Sequence, residues 1–203
     1  MIEFVAYPKI PRLSREMIVT EKIDGTNGQI YIRPLAEEPL PFEMDILSHL
    51  DVESGAYSIR AGSRNRWLLP GKTDNFGFAA WVLDHAKELV EGLGPGRHFG
   101  EWWGQGIGRG YGLTEKRFSL FNVSKWADGS SRPACCGVVP VLVEEMDFNS
   151  DAIEAALSYL RTCGSLCAPG FMDPEGVVVF HSASGTLFKK TLVGDEKPKG
   201  ETR

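Results

Sequence analysis

The sequence predicts an α+β fold with mainly antiparallel sheets. Many short apolar stretches have the length of strands, whereas only two stretches have the apolar periodicity of a helix. Glycine, asparagine, aspartate and proline separate the strand-like stretches, as is typical of turns between neighbouring strands. The chain has 203 residues, of which 42% are hydrophobic, so it is long enough to bury a core of its own.

The strands follow one another along most of the chain. The strand between Met17 and Lys22 is followed by the turn residues Asp24 to Asn27, and the loop at residues 34–41 is rich in proline and acidic residues. The predicted strands are residues 17–22, 28–33, 56–61, 97–103, 117–123 and 137–144, and a C-terminal hairpin comprises residues 176–180 and 185–192.

Two helices are predicted between these strands. The first begins near Asp74 or Asn75 and runs to about Leu89, with Phe78, Val82, His85 and Leu89 along one face. The second follows the capping pair Asn149-Ser150 and runs through Leu160, with Gly164 beyond its end.

Composition limits the classes of function. The net charge of −5 counts mildly against a nucleic-acid-binding protein, but the charge is unevenly distributed. The basic residues form two clusters, which are Arg60, Arg64, Arg66 and Lys72, and Arg97, Arg109, Lys116, Arg117 and Lys125. A locally positive groove on an acidic protein is therefore compatible with the sequence.

The location of the protein is predicted from what the chain lacks. No apolar run approaches the ~20 residues that span a bilayer, and no basic segment followed by an apolar one marks a signal peptide. We expect a cytoplasmic protein with four reduced cysteines. Zinc binding by these cysteines is the less favoured alternative, because the adjacent pair Cys135-Cys136 has poor zinc-site spacing.

The first chemical signal is the segment Glu21-Lys22-Ile23-Asp24-Gly25-Thr26-Asn27. A lysine at the end of a strand, just before a tight turn, can be held rigidly in a cleft. Burial and neighbouring cations would lower its pKa and free its lone pair for nucleophilic attack. Taken alone, the Lys-x-Asp-Gly pattern also fits an ordinary hairpin with a solvated lysine.

Five further segments carry residue types suited to phosphate and metal chemistry. Arginine pairs with two phosphate oxygens at once, glutamate at a strand end can organise a hydrated metal ion, and an exposed aromatic side chain can stack on a base. In chain order they are Ser63-Arg64-Asn65, Phe99-Gly100-Glu101, Arg117–Val123, Pro174-Glu175-Gly176 and Phe188-Lys189-Lys190-Thr191.

In this order, the six segments resemble the covalent nucleotidyltransferase superfamily, which comprises ATP-dependent polynucleotide ligases and mRNA capping enzymes. The resemblance runs from about Val19 to Thr191, and the first segment is most similar to the nick-sealing RNA ligases. It implies that Lys22 attacks the α-phosphate of ATP to form lysyl-AMP. The AMP would then pass to the 5′-phosphate of a nucleic acid, and a 3′-hydroxyl would displace it.

The resemblance also implies roles for other residues. Catalytic roles fall to Lys22, Asp24, Arg64, Glu101, Glu175 and Lys189, and the three carboxylates among them would organise Mg²⁺ or Mn²⁺ through water. Contacts to the nucleotide fall to Glu21, Ile23, Asn27, Phe121 and Lys190, with Phe121 stacked on the purine and Phe118 as the fallback.

Two positions depart from the family pattern. Asn122 stands where aspartate is common, and Lys189 and Lys190 are adjacent where the family has Lys-x-Lys. Adjacent strand residues point to opposite faces, so we expect Lys189 in the cleft and Lys190 towards solvent.

The expected organisation is a nucleotidyltransferase domain at residues 1–193 and a mobile polar tail at residues 194–203. Only 12 residues follow Thr191, so we expect no oligonucleotide-binding barrel or other C-terminal domain. The expected substrate is a nucleic acid with 5′-phosphate and 3′-hydroxyl ends, with RNA favoured over DNA. A partner protein that supplies duplex binding is compatible with this organisation. Two alternatives are a GTP-specific guanylyltransferase of the capping type and a non-catalytic module that binds nucleotides or RNA ends.

Overall fold

A computed structural model describes residues 2–37, 45–71, 74–129 and 132–195. The strands in chain order are β1 (Glu16–Lys22), β2 (Thr26–Pro34), β3 (Ser48–Val52), β4 (Gly55–Gly62), β5 (Trp67–Leu68), β6 (Gly96–Gly104), β7 (Lys116–Leu120), β8 (Cys136–Val138), β9 (Val141–Asp147), β10 (Gly176–His181) and β11 (Thr186–Thr191). The helices are α1 (Phe78–Asp84), α2 (Ala86–Leu93), α3 (Val123–Trp126) and α4 (Ser150–Cys163), with a 3-10 turn at Leu35–Glu37. The predicted α+β class with mainly antiparallel sheets is confirmed.

The smaller sheet has four antiparallel strands in the order β11-β10-β1-β9. Alternate side chains of its strands point to opposite faces. One face packs against α4 through a buried cluster that includes Met17, Val19, Leu157, Leu160 and Val179. The opposite face contributes Ile18, Thr20 and Val178 to the wall of a cleft.

The larger sheet has the strand order β3-β4-β2-β6-β7-β8, with β5 paired to β4. Its neighbours are antiparallel except for β7 and β8, which are parallel. Helices α1 and α2 cover one face and complete a core that includes Ile30, Ile59, Phe78, Leu89 and Phe118. Residues such as Gln29 and Phe99 lie on the other face and line the same cleft as the smaller sheet.

Several predicted boundaries were wrong for identifiable reasons. The predicted strand at residues 137–144 is two strands in different sheets, β8 and β9, because Pro140 between them has no N–H for a strand ladder. The predicted strand at residues 117–123 ends at Leu120, because Asn122 caps α3. Strand β3 was not predicted at all.

The two helix predictions had different outcomes. The first predicted helix begins at Phe78 and is divided into α1 and α2 at His85, whose φ of −104° lies outside the helical range. The second prediction is confirmed, since the Asn149 side chain accepts hydrogen bonds from the Asp151 and Ala152 N–H groups and Gly164 follows the end of α4.

In the predicted loop at residues 34–41, residues 38–41 lie outside the described residues, as do Lys72 and residues 196–203 of the predicted tail.

Gly176 holds β10 and β11 together at the position that faces Lys22 across the sheet. A Cβ added here would lie 2.2 Å from the Lys190 carbonyl oxygen, and the φ of 152° is also unfavourable for other residues. We expect Gly176→Ala to lower the free energy of unfolding by about 2 kcal/mol or more, as measured by urea denaturation.

Gly185 in the turn of the same hairpin is the matched control for this substitution. It also has a positive φ, 62°, but a Cβ there meets nothing within 4 Å. We expect Gly185→Ala to cost only the strain of the left-handed backbone, about 1 kcal/mol. Equal losses in the two variants would contradict the steric account.

Candidate active site

The segment from Glu21 to Asn27 connects the two sheets. Lys22 ends β1 in the smaller sheet and Thr26 begins β2 in the larger one, so only residues 23–25 pass between them. This short link brings one face of each sheet to a shared cleft with a volume of about 1460 Å³. The predicted site residues that line the cleft are Glu21, Lys22, Ile23, Asp24, Asn27, Arg64, Glu101, Phe121 and Lys189.

Lys22 lies on the cleft wall and pairs with Glu175. The Lys22 Nζ atom is 2.5 Å from Glu175 Oε2, and the two side chains are 17% and 10% exposed. The carboxylate reaches the lysine because Glu175 directly precedes β10, in which Gly176 lies opposite Lys22. A buried carboxylate therefore fixes the amine on the cleft wall.

Lys189 lies on the same face of the smaller sheet. Lys189 on β11 pairs with Val178 on β10, and Val178 pairs with Thr20 on β1. Paired residues share a face of the sheet, and Thr20 and Lys22 are two residues apart on β1, so all four side chains point to the same face. Lys190 points the other way and pairs with Glu154 on α4. The structure thus places one of the two adjacent lysines in the cleft and the other outside it.

Asp24 is held by the glycine-rich loop after β6. Its N–H donates a hydrogen bond of 2.7 Å to the Tyr111 hydroxyl, and its Oδ2 lies 3.5 Å from Arg109 Nε. The Arg109 Nη1 atom in turn lies 2.5 Å from Asp173 Oδ2, two residues before Glu175. A Cβ at Gly108 would lie 2.5 Å from the Asp24 carbonyl oxygen, so the loop approaches this closely only because Gly108 has no side chain.

Glu101 is at the centre of a hydrogen-bonded chain on the opposite wall. It accepts hydrogen bonds from the Gly25 N–H at 3.1 Å and from Asn27 Nδ2 at 3.2 Å. The Asn27 amide oxygen accepts a hydrogen bond of 2.9 Å from Arg64 Nε. Burial raises the pKa of Glu101 to about 7, while Lys22 and the two donors act in the opposite direction. This series of hydrogen bonds fixes the guanidinium of Arg64 relative to the segment from Glu21 to Asn27.

The side chains of Glu21 and Ile23 point away from the cleft. The Glu21 carboxylate is 1% exposed and accepts hydrogen bonds from Ser165 Oγ at 2.5 Å and from the Leu166 N–H at 2.8 Å. Ile23 is buried with Trp103 and Tyr111. Both residues reach the cleft edge while their side chains anchor the motif from behind.

The aromatic positions of the fourth segment differ in exposure. Phe121 is 38% exposed and lines the cleft, whereas the fallback Phe118 is completely buried in the core. Asn122 caps α3, because its side chain accepts a hydrogen bond of 3.1 Å from the Lys125 N–H. Asn122 therefore has a structural role of its own, and it fills that role as well as aspartate would.

Sequence reasoning missed three residues that hold the site. Tyr111 and Arg109 position Asp24, and the Asn75 side chain donates a hydrogen bond of 2.9 Å to Thr26 Oγ1 at the start of β2. A signal for the loop was present, because glycine occupies every second position from residue 104 to residue 112. All five of these glycines have positive φ, which folds the loop back onto Asp24.

Within the described ranges, no group of three or more histidine, cysteine, aspartate or glutamate side chains could hold a metal ion. The alternative of a cysteine zinc site therefore has no support, and the four cysteines are free thiols. Asp24, Glu101 and Glu175 likewise form no closed ligand set. These carboxylates suit Mg²⁺, which is commonly bound by one or two carboxylates together with water and substrate phosphates.

Comparison with known protein families shows which family the chain belongs to. A family model described as RNA ligase matches residues 15–191. The chain belongs to the RNA ligase family. No curated protein matched the sequence. In the described part of this family member, no helix is long and apolar enough to cross a membrane.

Solved structures of Naegleria gruberi RNA ligase share the fold with this RNA ligase family member. A mutant with ATP and Mn has a TM-score of 0.53 and 18% identity, over 88% of this chain and 50% of that one. An apo mutant gives a TM-score of 0.52 with 16% identity, and a mutant with AMP and Mn gives 0.51 with 16%, each over 88% of this chain and 50% of the other. The chain thus spans about half the length of these ligases.

The raised pKa of Glu101 predicts a pH dependence of stability. The carboxyl ionises near pH 4.5 in the unfolded chain and near pH 7 in the folded protein, so its contribution to stability is complete below pH 4.5 and is lost as the pH rises to 7. Between pH 4.5 and pH 8, the wild type should lose about 3 kcal/mol of unfolding free energy relative to Glu101→Gln, which cannot ionise. Urea denaturation of both proteins at the two pH values measures this difference. An unchanged difference would show that Glu101 ionises normally.

Proposed function

We propose that the protein is an ATP-dependent RNA ligase that forms lysyl-AMP at Lys22, transfers the AMP to an RNA 5′-phosphate and joins that end to a 3′-hydroxyl. The observation that carries the proposal is the position of the Lys22 amine on the wall of a cleft, 2.5 Å from Glu175. Asp24, Glu101, Arg64 and Lys189 border the same cleft. Family membership supports RNA as the substrate.

In the first step, the Lys22 amine must lose a proton and attack the α-phosphate of ATP. The Nζ–P bond forms while the bond between the α-phosphorus and the bridging oxygen breaks, and pyrophosphate leaves with the electron pair. Glu175 holds the amine in place and is positioned to accept its proton. Lys22 ends β1, and Glu175 directly precedes Gly176, which pairs with Lys22 across the sheet. This pairing limits the motion of the nucleophile.

The cations of the cleft suit the charge that develops on the phosphate oxygens. Arg64 and Lys189 approach from the larger and the smaller sheet respectively. Arg64 is oriented by its hydrogen bond to Asn27, which is in turn bonded to Glu101. A divalent metal ion bound with the nucleotide would supply further charge neutralisation, and Asp24, Glu101 and Glu175 are the carboxylates available to organise its water ligands.

The nucleotide and metal are inferred from the chemistry and from the structural relatives. The Naegleria gruberi structures with ATP and Mn and with AMP and Mn have the same fold as this chain. Phe121 offers an exposed ring to a purine, and Val178 and Phe180 on the smaller sheet line the cleft as well. We therefore propose ATP as the nucleotide and Mg²⁺ or Mn²⁺ as the metal.

Two departures from the family pattern favour the alternative of a non-catalytic binding module, but each has a structural explanation. Asn122 caps α3, and Lys190 pairs with Glu154 while Lys189 remains on the cleft wall. The complete set of groups around Lys22 favours catalysis. The guanylyltransferase alternative differs in its nucleotide, so the choice between ATP and GTP tests it.

Labelling with the nucleotide tests the proposed function. Wild-type protein incubated with Mg²⁺ and α-labelled ATP should retain label after denaturation, and Lys22→Ala should retain none, because no other residue replaces the nucleophile. The matched control is Lys87→Ala, since Lys87 is an exposed lysine on α2 that pairs with Glu91. It should label like the wild type.

The same experiment contains the outcomes that contradict the proposal. Label retained by Lys22→Ala would exclude Lys22 as the nucleophile, and labelling from GTP but not from ATP would favour the capping alternative. After removal of free ATP, a 5′-phosphorylated oligoribonucleotide should take the AMP from the labelled protein, whereas the 5′-hydroxyl form should not. Transfer to neither would restrict the activity to the first step.

A further inference from the structure

The cleft is larger than one nucleotide requires. Its volume of about 1460 Å³ exceeds the ~300–1,000 Å³ of most small-molecule sites. Its acidic lining residues, Glu21, Asp24 and Glu101, are all at the end that contains Lys22. The other end is lined by Arg97, Phe99 and Lys125. We call the surface formed by Gln29, Tyr31, Arg97, Phe99 and Lys125 the outer shelf.

The register of β2 and β6 places the outer shelf next to the proposed catalytic residues. Asn27 is opposite Glu101, Gln29 is opposite Phe99, and Tyr31 is opposite Arg97. Successive pairs on one face of a sheet are ~7 Å apart along the strands. The shelf therefore leads away from Glu101 in two steps, first to an aromatic ring and then to a cation.

The two cations of the shelf are held by aromatic rings. The Arg97 guanidinium carbon lies 4.2 Å from the centre of the Tyr31 ring, and Lys125 Nζ lies 4.3 Å from that of Trp126. In the described part of the chain, neither cation pairs with a carboxylate, whereas Lys22 pairs with Glu175. A neutral ring positions a cation without cancelling its charge. Both positive charges thus remain available to an anionic ligand.

Phe99 and Gln29 give the shelf the means to contact a base. The Phe99 side chain is 50% exposed on the cleft face of β6. Beside it, the buried Gln29 Nε2 atom has no hydrogen-bond partner among the described residues. An unsatisfied buried amide is costly, so a turn of the Gln29 side chain that brings this N–H to a ligand acceptor in the cleft is favourable. Base carbonyl oxygens and phosphate oxygens are such acceptors.

We propose that the outer shelf binds an unpaired segment of the RNA substrate, with a base stacked on Phe99 and phosphates at Arg97 and Lys125. The proposal rests on the proposed function and adds where the RNA lies. A ring that can stack, an amide donor and two uncompensated cations match the repeating parts of a single strand. The bases must be unpaired, because a base inside a duplex cannot offer its face to Phe99.

The test measures the affinity of purified protein for a short 3′-labelled single-stranded oligoribonucleotide by fluorescence anisotropy. Phe99→Ala should weaken binding at least about 5-fold, because stacking on an aromatic ring contributes ~1–3 kcal/mol per base. Phe99→Tyr should restore it. The loss should be equal for oligonucleotides with a 5′-phosphate and a 5′-hydroxyl, because the shelf contacts internal nucleotides.

The salt dependence separates the cations from the ring. Arg97→Ala and Lys125→Ala should each weaken binding and reduce the slope of log affinity against log salt by about 0.7, the value for one phosphate contact to a single strand. Phe99→Ala should leave the slope unchanged. Tyr159→Ala and Arg161→Ala are matched controls on the exposed surface of α4, and both should bind RNA like the wild type.

Labelling with α-labelled ATP in the same preparations distinguishes failure of this proposal from failure of the proposed function. Wild-type RNA affinity in Phe99→Ala and Arg97→Ala would overturn the shelf, whether or not the wild type forms lysyl-AMP. A polyglutamate peptide that binds as tightly as RNA, with the same loss in Phe99→Ala, would also overturn it. If the wild type binds RNA but forms no lysyl-AMP, and Phe99→Ala and Arg97→Ala bind RNA more weakly than the wild type, the result would support the shelf and reject the ligase activity.

Discussion

The three-residue link between β1 and β2 is the constraint on which the rest of the site depends. It carries the chain from one sheet to the other, so Lys22 lies where the two sheets adjoin. The buried carboxylate of Glu21 fixes the end of β1 to the loop after α4, and the Gly25 N–H is bonded to Glu101 on β6. A Cβ at Gly25 would lie 2.5 Å from the Trp102 carbonyl oxygen, so the link also fits closely against β6.

The charges of the cleft follow from this arrangement. Near the link, carboxylates are used to hold other groups, since Glu175 pairs with Lys22 and Glu101 accepts from Gly25 and Asn27. Further out, aromatic rings rather than carboxylates hold the cations, as Tyr31 does for Arg97. A chain with a net charge of −5 can therefore keep a positive surface at the outer end of its cleft. The overall charge of the chain therefore does not describe the charge of this end of the cleft.

Much of the fold could be predicted because its strands alternate clearly and are separated by turn residues. The division of residues 137–144 between two sheets could not, because it depends on pairings with β7 and β1 that are distant in sequence. The linear motif identified Lys22 and its neighbours, and the alternation of strand faces separated Lys189 from Lys190. The roles of Tyr111 and Arg109 depend on how the glycine-rich loop folds back onto Asp24, which local sequence patterns do not determine.

The central claim is that the amine of Lys22 carries AMP. The most direct measurement is proteolysis of the protein after reaction with ATP and Mg²⁺, followed by mass spectrometry of the peptides under conditions that preserve a phosphoramidate bond. The account predicts the mass of one adenylate on the peptide that contains Lys22, with fragmentation that locates it on that lysine. Adenylate on a different residue would contradict the assigned nucleophile, and a fully unmodified peptide from folded protein would contradict covalent nucleotidyl transfer by this chain.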